Sequence, residues 1–158
     1  MTRKLNAAAL AHVLAIVSVA LCLVPVGAHF FELQNKMALL PGEYMTVQKI
    51  YAGWAWFGIA IMLALLATLW HTVLVRADRP AFVLSLAAFL GIAATLAIFF
   101  AFTYPVNVAS QFWTVAPEPF EAARRQWEYS HATNAAVTFA SLLAIVFSAI
   151  LYRGREKG

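Results

Sequence analysis

The amino-acid sequence predicts an all-α integral membrane protein, an up-down-up-down four-helix bundle with two longer extracytoplasmic connections and an extended fourth helix. The 158 residues are 63% hydrophobic and only 11% charged, a composition that does not keep a soluble domain of this size monomeric in water. Four long apolar stretches run along the chain, and the charged clusters lie between them. Each stretch has the roughly 20 residues needed to cross a hydrocarbon core about 30 Å thick.

The apolar stretches place the four helices at residues 8–31, 50–75, 81–104 and 119–152 of a single domain covering residues 1–158. Residues 76–80 form so short a connection that the second and third helices must be antiparallel neighbours. The first long connection contains Pro41-Gly42, a turn signal. In the second, Pro119 suits the first turn of a helix that starts outside the membrane.

The basic residues predict the orientation. Seven flank one side and four flank the other, namely Arg3, Lys4, Arg76, Arg79, Arg153, Arg155 and Lys157 against Lys36, Lys49, Arg124 and Arg125. By the positive-inside rule, both termini are cytoplasmic in a multi-pass protein of a plasma or bacterial inner membrane. Because these residues sit at helix ends rather than in one basic patch, they indicate a lipid bilayer as partner and no nucleic acid. The single cysteine, Cys22, excludes an internal disulfide.

Two helices carry polar stripes, and a polar stripe in lipid must face the bundle interior. On the fourth helix the stripe is Arg124, Trp127, His131, Asn134, Thr138 and Ser141, with Glu128 beside it. On the first helix it is Ser18, Cys22, Pro25 and His29, continued by Glu32 and Lys36 if the helix persists. The alternating topology brings the polar ends of both stripes to the outer mouth of the bundle.

These polar ends contain a candidate metal site. His29-x-x-Glu32 and Glu128-x-x-His131 each place a nitrogen and an oxygen ligand on one helix face. Di-iron and di-manganese bundles use related Glu-x-x-His helices, but here the first pair is reversed, and the second and third helices supply no glutamate. The alternative is a solvated helix end with two ion pairs at i,i+4 spacing, Glu121 with Arg125 and Arg124 with Glu128.

The four histidines allow a further interpretation. His12 and His71 lie near the cytoplasmic ends of their helices, so that with His29 and His131 they make two cross-bundle pairs, the ligand set of a two-haem b-type cytochrome. Polar interfacial histidines without haem are the other interpretation.

Aromatic residues are dense near the outer interface, where an aromatic belt is expected. Those beside inward polar groups also suit the walls of a pocket for a flat lipophilic ligand. The predicted contacts of that ligand are Gln48, Tyr51, Trp54, Asn107, Arg124 and Trp127.

Four blocks of the chain resemble signature segments of the anthrone-oxygenase-like membrane family, whose bacterial members are mostly of unknown function. The blocks are GAHFFELQNK at 27–36, VQKIYAGW at 47–54, YPVN at 104–107 and RRQWEYSH at 124–131. The resemblance implies a small four-helix membrane protein. For the fungal members it also implies oxidation of an anthrone to an anthraquinone by dioxygen, without an added organic cofactor.

We therefore expect a membrane oxidoreductase, oxygenase-like and either cofactor-independent or metal-dependent, acting on a lipophilic phenolic, anthrone-like or quinone-like molecule. In this hypothesis His131 is the base, oriented by Glu128 or Glu32, and Arg124 and Asn107 stabilise the developing oxyanion. The alternative is a non-enzymatic membrane subunit or a small-molecule or metal-binding protein, in which the polar cluster holds the helices together or docks a membrane partner or a second copy.

Overall fold

The computed structural model describes residues 7–152 and is helical, with no strand in that range. The basic residues at positions 3, 4, 153, 155 and 157, on which much of the orientation prediction depends, lie outside it. The α-helices, in chain order, are α1 Ala7–Ala38, α2 Pro41–Val47, α3 Phe57–Leu74, α4 Arg79–Ile98, α5 Tyr104–Ala109 and α6 Phe120–Leu151. Short 3-10 turns cover Gln48–Tyr51 and Trp54–Trp56, and a π-helical segment, Phe99–Thr103, joins α4 to α5.

Four segments of the described chain are long and apolar enough to cross a membrane: Ala7–Ala38, Trp54–Leu74, Arg79–Ala109 and Phe120–Leu151. Only 22% to 33% of the residues in their apolar windows are buried inside the bundle. The remaining apolar side chains face outward, where water would be an unfavourable solvent and lipid a favourable one. The predicted multi-pass membrane bundle is confirmed.

The four long helices lie at the corners of a square, so that each one packs against two neighbours. α1 contacts α3 and α6, and α4 contacts the same two neighbours. Small residues allow this close approach: Ala15 and Ala88 are fully buried against Ile145. We call the end that holds α2, α5 and residues 110–119 the loop end, and the end that holds the turn between α3 and α4 the turn end.

The observed helix bounds differ from the predicted ones at the loop end. α1 continues to Ala38 instead of stopping at residue 31, because Glu32 and Lys36 face the bundle and form contacts there. α3 begins at Phe57 instead of residue 50, since Gly53 adopts a left-handed conformation (φ 86°) that interrupts a helix. The third span passes through the π-helical segment and continues beyond residue 104 to Ala109.

Caps explain other helix starts. Asp78 is the N-cap of α4, where its side chain accepts a hydrogen bond from the Ala81 backbone N–H at 3.4 Å, and Pro80 occupies the first turn. Glu43, in the first turn of α2, accepts the Leu40 backbone N–H at 3.0 Å. Glu43 is thereby used as a helix cap at the surface of the protein.

Candidate functional site

A buried ion pair lies at the centre of the loop end. Lys36 of α1 and Glu128 of α6 approach to 2.6 Å between Nζ and Oε1, and their side chains are 4% and 0% exposed. The Tyr44 hydroxyl of α2 donates to the same Oε1 at 2.7 Å. The second carboxylate oxygen, Oε2, is buried without a hydrogen-bond partner. Glu128 thus joins three helices and keeps one acceptor oxygen free inside the protein.

Aromatic rings enclose the Lys36 ammonium. Its Nζ lies 4.6 Å from the ring centroid of Tyr51, 4.8 Å from that of Trp127 and 5.7 Å from that of Tyr44. Ring faces attract a cation at these distances, and more strongly when water is excluded. The enclosure and Glu128 together offset the cost of removing the ammonium from water.

Two imidazoles lie beside this ammonium. The ring centroids of His29 and His131 are 4.1 Å apart, and the Trp127 ring contacts both, at 4.9 Å and 4.3 Å. Lys36 Nζ lies 3.5 Å from His29 Nδ1. Because an ammonium only donates, His29 Nδ1 is the acceptor and its ring proton is on Nε2. His131 Nδ1 is buried with no hydrogen-bond partner.

The phenols of this cluster are held in their neutral form. Burial, followed by the effect of the nearby Glu128 carboxylate, raises the pKa of Tyr44 far above its ordinary value. Burial and the hydrogen bond to Glu32 likewise raise the pKa of Tyr51, whose hydroxyl donates to Glu32 Oε2. Both hydroxyls are therefore donors to carboxylates rather than bases.

Several predicted ligand-binding residues position their neighbours. Asn107 Oδ1 accepts the Trp127 indole N–H at 2.7 Å and so fixes the ring that contacts both histidines. Arg124 donates to the Leu39 carbonyl, just after α1, at 2.8 Å and to Glu121 at 2.7 Å. The first of these bonds satisfies the Leu39 carbonyl, which is free at the C-terminal end of α1, and so attaches that end to α6.

The remaining predicted ligand contacts, Trp54 and Gln48, also lie at the loop end. Trp54 packs on His29 and Tyr51, with ring centroids 5.7 Å and 4.9 Å apart. Gln48 is buried, with its side-chain amide beside the Tyr44 hydroxyl. Its role as a substrate contact stays a prediction.

A strained turn closes the cluster. Gln111, Phe112 and Trp113 have consecutive positive φ angles of 47°, 56° and 64°, a left-handed conformation that costs about 1 to 3 kcal/mol for each non-glycine residue. The Ser110 hydroxyl accepts the Trp113 backbone N–H at 3.0 Å. The turn directs the Trp113 ring inward, 5.5 Å from Trp127 and 5.2 Å from Tyr44.

The structure brings together the polar ends of α1 and α6, as the stripes predicted, but changes their partners. The expected orientation of His131 by Glu128 or Glu32 is not observed, because Lys36 and Tyr44 engage Glu128 and Tyr51 engages Glu32. The expected ion pair between Arg124 and Glu128 is also wrong, since each side chain has another partner.

The sequence analysis placed Lys36 on the stripe of the first helix but gave neither Lys36 nor Tyr44 a role in the candidate site. The available signal was the position of Lys36, seven residues after His29 on the inward stripe of α1. For Tyr44, which lies on the short helix α2, no helix periodicity pointed to Glu128.

The predicted metal ligands His29, Glu32, Glu128 and His131 are not arranged as a metal centre. Within residues 7–152, no three His, Cys, Asp or Glu side chains are gathered closely enough to hold a metal ion. The two histidines face each other, but the two carboxylates are engaged by Lys36, Tyr44 and Tyr51. Metal dependence stays a prediction that this geometry does not support.

The second predicted histidine pair forms at the turn end. The ring centroids of His12 and His71 are 4.0 Å apart. A porphyrin, whose plane passes between two axial imidazoles, does not fit between rings at the separations seen in either pair. His71 is fully buried, and its Nδ1 lies 2.7 Å from the Ser85 hydroxyl.

A shallow depression on the outward surface of α3 begins beside the loop end. It is lined by Gly53, Ala55, Trp56, Gly58, Ile59, Met62 and Leu63. Trp54, between the first two of these residues in the chain, contacts His29 on its inner side. This indole therefore lies where a molecule from the lipid would approach the histidines.

Comparison of the chain with known proteins identifies no matching family model, no significantly similar curated protein and no significantly similar solved structure.

Proposed function

We propose that the protein is a membrane oxidoreductase that uses dioxygen to oxidise a lipophilic phenolic, anthrone-like or quinone-like molecule at the loop end. The observation that carries the proposal is the His29–His131 pair, in contact with a buried ammonium and walled by Trp127, Tyr51 and Trp54. It combines a base, a positive charge and flat apolar walls, which are the groups that such an oxidation requires.

In this mechanism His131 removes a proton from an activated C–H group of the substrate through its unpartnered Nδ1. The carbanion is stabilised by delocalisation into the aromatic system and by the Lys36 ammonium, whose field is strong because water is excluded. Dioxygen then accepts electrons from the carbanion. In the overall reaction a CH₂ group becomes a carbonyl, one oxygen atom enters that carbonyl, and the other leaves as water.

The cofactor-independent form of the reaction agrees better with the donor set. One oxygen of Glu128 is held by Lys36 and Tyr44 and one oxygen of Glu32 by Tyr51, so neither carboxylate has both of its oxygens available to a metal. Glu128 has a different role here, since it holds Lys36 and Tyr44 in place. Arg124 and Asn107 act through the helices and the Trp127 ring that they position.

The second candidate is a non-enzymatic membrane subunit or small-molecule binder. It is favoured by the internal pairing of Arg124 and Asn107, whose hydrogen bonds hold α1 and Trp127 without any ligand. Under this alternative the loop end holds the bundle together or presents a surface to another protein.

The test is oxygen consumption by the purified protein with anthrones and hydroquinones. We expect His131→Ala to lower kcat by about 10²- to 10⁴-fold, the usual contribution of a general base. Thr133→Ala is the matched control, because Thr133 is exposed on the same helix and bonds only the Tyr129 carbonyl, at 2.8 Å. The non-enzymatic candidate would be favoured if the wild-type protein consumed no oxygen with any of these substrates and if none of them raised its melting temperature.

A further inference from the structure

The turn end has a depression of its own, at the opposite end of the bundle from the proposed oxidation site. Its volume is about 590 Å³, within the range of roughly 300 to 1,000 Å³ that is usual for small-ligand sites. It is formed by the turn between α3 and α4 and by the residue that follows α6. The lining residues are Leu74, Val75, Arg76, Ala77, Asp78, Arg79 and Tyr152.

This depression lies where the membrane-spanning segments end. The second span ends at Leu74, and the third begins at Arg79. α6 ends at Leu151, directly before Tyr152. The apolar side chains of Val73 and Leu151 are exposed just inside this border. A ligand in the depression is therefore at the depth of phospholipid head groups, beside side chains that suit the start of an acyl chain.

Two guanidinium groups line the depression. Arg76 and Arg79 are both exposed, and neither forms an ion pair with a carboxylate of residues 7–152. Arg76 donates one N–H to the Val73 carbonyl at 2.8 Å, which holds its side chain at the end of α3. Because a guanidinium has five N–H donors, the others remain for a ligand.

Asp78 is the one carboxylate among the lining residues. Its side chain accepts the Ala81 backbone N–H at 3.4 Å and so caps α4. With one negative charge against two positive charges, the lining is positive overall. This balance favours an anion over a cation or a neutral group.

We propose that the depression binds the phosphate group of one anionic phospholipid through Arg76 and Arg79. Guanidinium groups bind phosphate oxygens through paired N–H donors. A lipid fits better than a soluble anion, because the depression lies at head-group depth next to exposed apolar side chains. The orientation predicted from the basic residues also places the turn end in the cytoplasmic leaflet, the one in which anionic lipids create a negative surface potential.

The experiment measures lipid retention by native mass spectrometry. The purified full-length protein in detergent is titrated with phosphatidylglycerol and, separately, with phosphatidylcholine that has the same acyl chains. We expect one phosphatidylglycerol per chain and weaker retention of phosphatidylcholine, because the arginines repel the choline ammonium. Arg76→Gln and Arg79→Gln should each weaken phosphatidylglycerol binding about fivefold, the usual effect of one basic residue at an anionic lipid surface.

Two further variants separate a defined site from general charge attraction. Arg125→Gln removes one positive charge from an exposed position at the loop end, and it should leave phosphatidylglycerol binding unchanged. Asp78→Asn removes the negative charge of the lining, while asparagine still caps α4. This variant should therefore bind phosphatidylglycerol more tightly than the wild type.

Inorganic phosphate distinguishes a lipid site from a site for a soluble anion. At the concentration at which the lipid saturates the protein, phosphate should not displace phosphatidylglycerol. Equal retention of the two lipids, an equal loss of phosphatidylglycerol in Arg125→Gln, or its displacement by inorganic phosphate would each overturn the proposal. None of these measurements uses oxygen consumption, so their outcome does not depend on the proposed oxidation.

Discussion

Lys36 and Glu128 each depend on the other for stability at the loop end. The two side chains are 4% and 0% exposed, so removing either one leaves a buried charge without the oppositely charged group that it contacts. Tyr44 would not replace the lost partner of Glu128, because a neutral phenol supplies a hydrogen bond but no charge.

We expect Lys36→Met to lower the free energy of unfolding by about 3 to 5 kcal/mol, the usual cost of breaking a buried pair from one side. Glu128→Leu should cost about the same. The double variant should recover most of the loss, since neither charge then remains, and denaturant unfolding in mixed micelles measures all three. Additive losses in the double variant would contradict the coupling.

Arg124 and Asn107 illustrate what sequence reasoning finds at single residues. Their inward positions were predicted from the stripe and the outer connection, and the structure places both in the cluster. Their partners were not predictable, because the Leu39 carbonyl and the Trp127 indole are brought near them only by packing of distant segments. A polar residue is recognised from its sequence context, but its hydrogen bond requires three-dimensional geometry.

At the scale of elements, α4 and α6 approach each other closely at Gly91. A Cβ atom at this position would collide with the Ser141 hydroxyl, which donates to the Val137 carbonyl at 2.8 Å. Small residues at such crossings are usual in membrane bundles because lipid provides no hydrophobic drive and close packing must replace it.

Gly91→Ala should therefore lower the melting temperature, because overpacking costs about 1 to 3 kcal/mol. Adding Ser141→Ala removes the colliding oxygen and should restore most of the stability. The matched control is Gly58→Ala on α3, where nothing lies within 4 Å of the new methyl group. There the better helix propensity of alanine should leave stability unchanged or raise it. Equal melting temperatures for Gly91→Ala and wild type would refute the proposed close contact.

At the scale of the whole molecule, alternation of the four helices places both connections of the loop end on one side of the membrane and the α3–α4 turn on the other. Which side faces the cytoplasm follows only from the distribution of basic residues. The proposed oxidation site is extracytoplasmic in that orientation, and the His12–His71 pair lies toward the cytoplasm.

Labelling of single cysteines in intact cells measures this orientation. In a Cys22→Ala background, Gly42→Cys should react with a membrane-impermeant thiol reagent and Ala77→Cys should react only after lysis. Both positions are exposed, and neither side chain makes a hydrogen bond. The reverse pattern would invert the topology and place the proposed oxidation site on the cytoplasmic side.

The membrane class, the helix number and the inward stripes were predictable from sequence because each depends on local composition and periodicity. A run of about 20 apolar residues needs a bilayer whatever its partners, and a polar stripe in lipid must face inward. The end of α1 was harder to predict, since residues 32–38 include four polar side chains and only the tertiary structure gives Glu32 and Lys36 their partners on other segments.

The partners of the buried polar side chains became known only from the three-dimensional fold. It placed Lys36 rather than Arg124 against Glu128, and it brought Tyr44 from a short connecting helix to the same carboxylate. It also brought the four histidines into ring contact in two pairs, and it placed the Ser85 hydroxyl within hydrogen-bond distance of His71. The physical reason is that a buried polar group is stabilised by whichever complementary group packing brings within about 3 Å, and in this bundle those groups come from helices far apart in the chain.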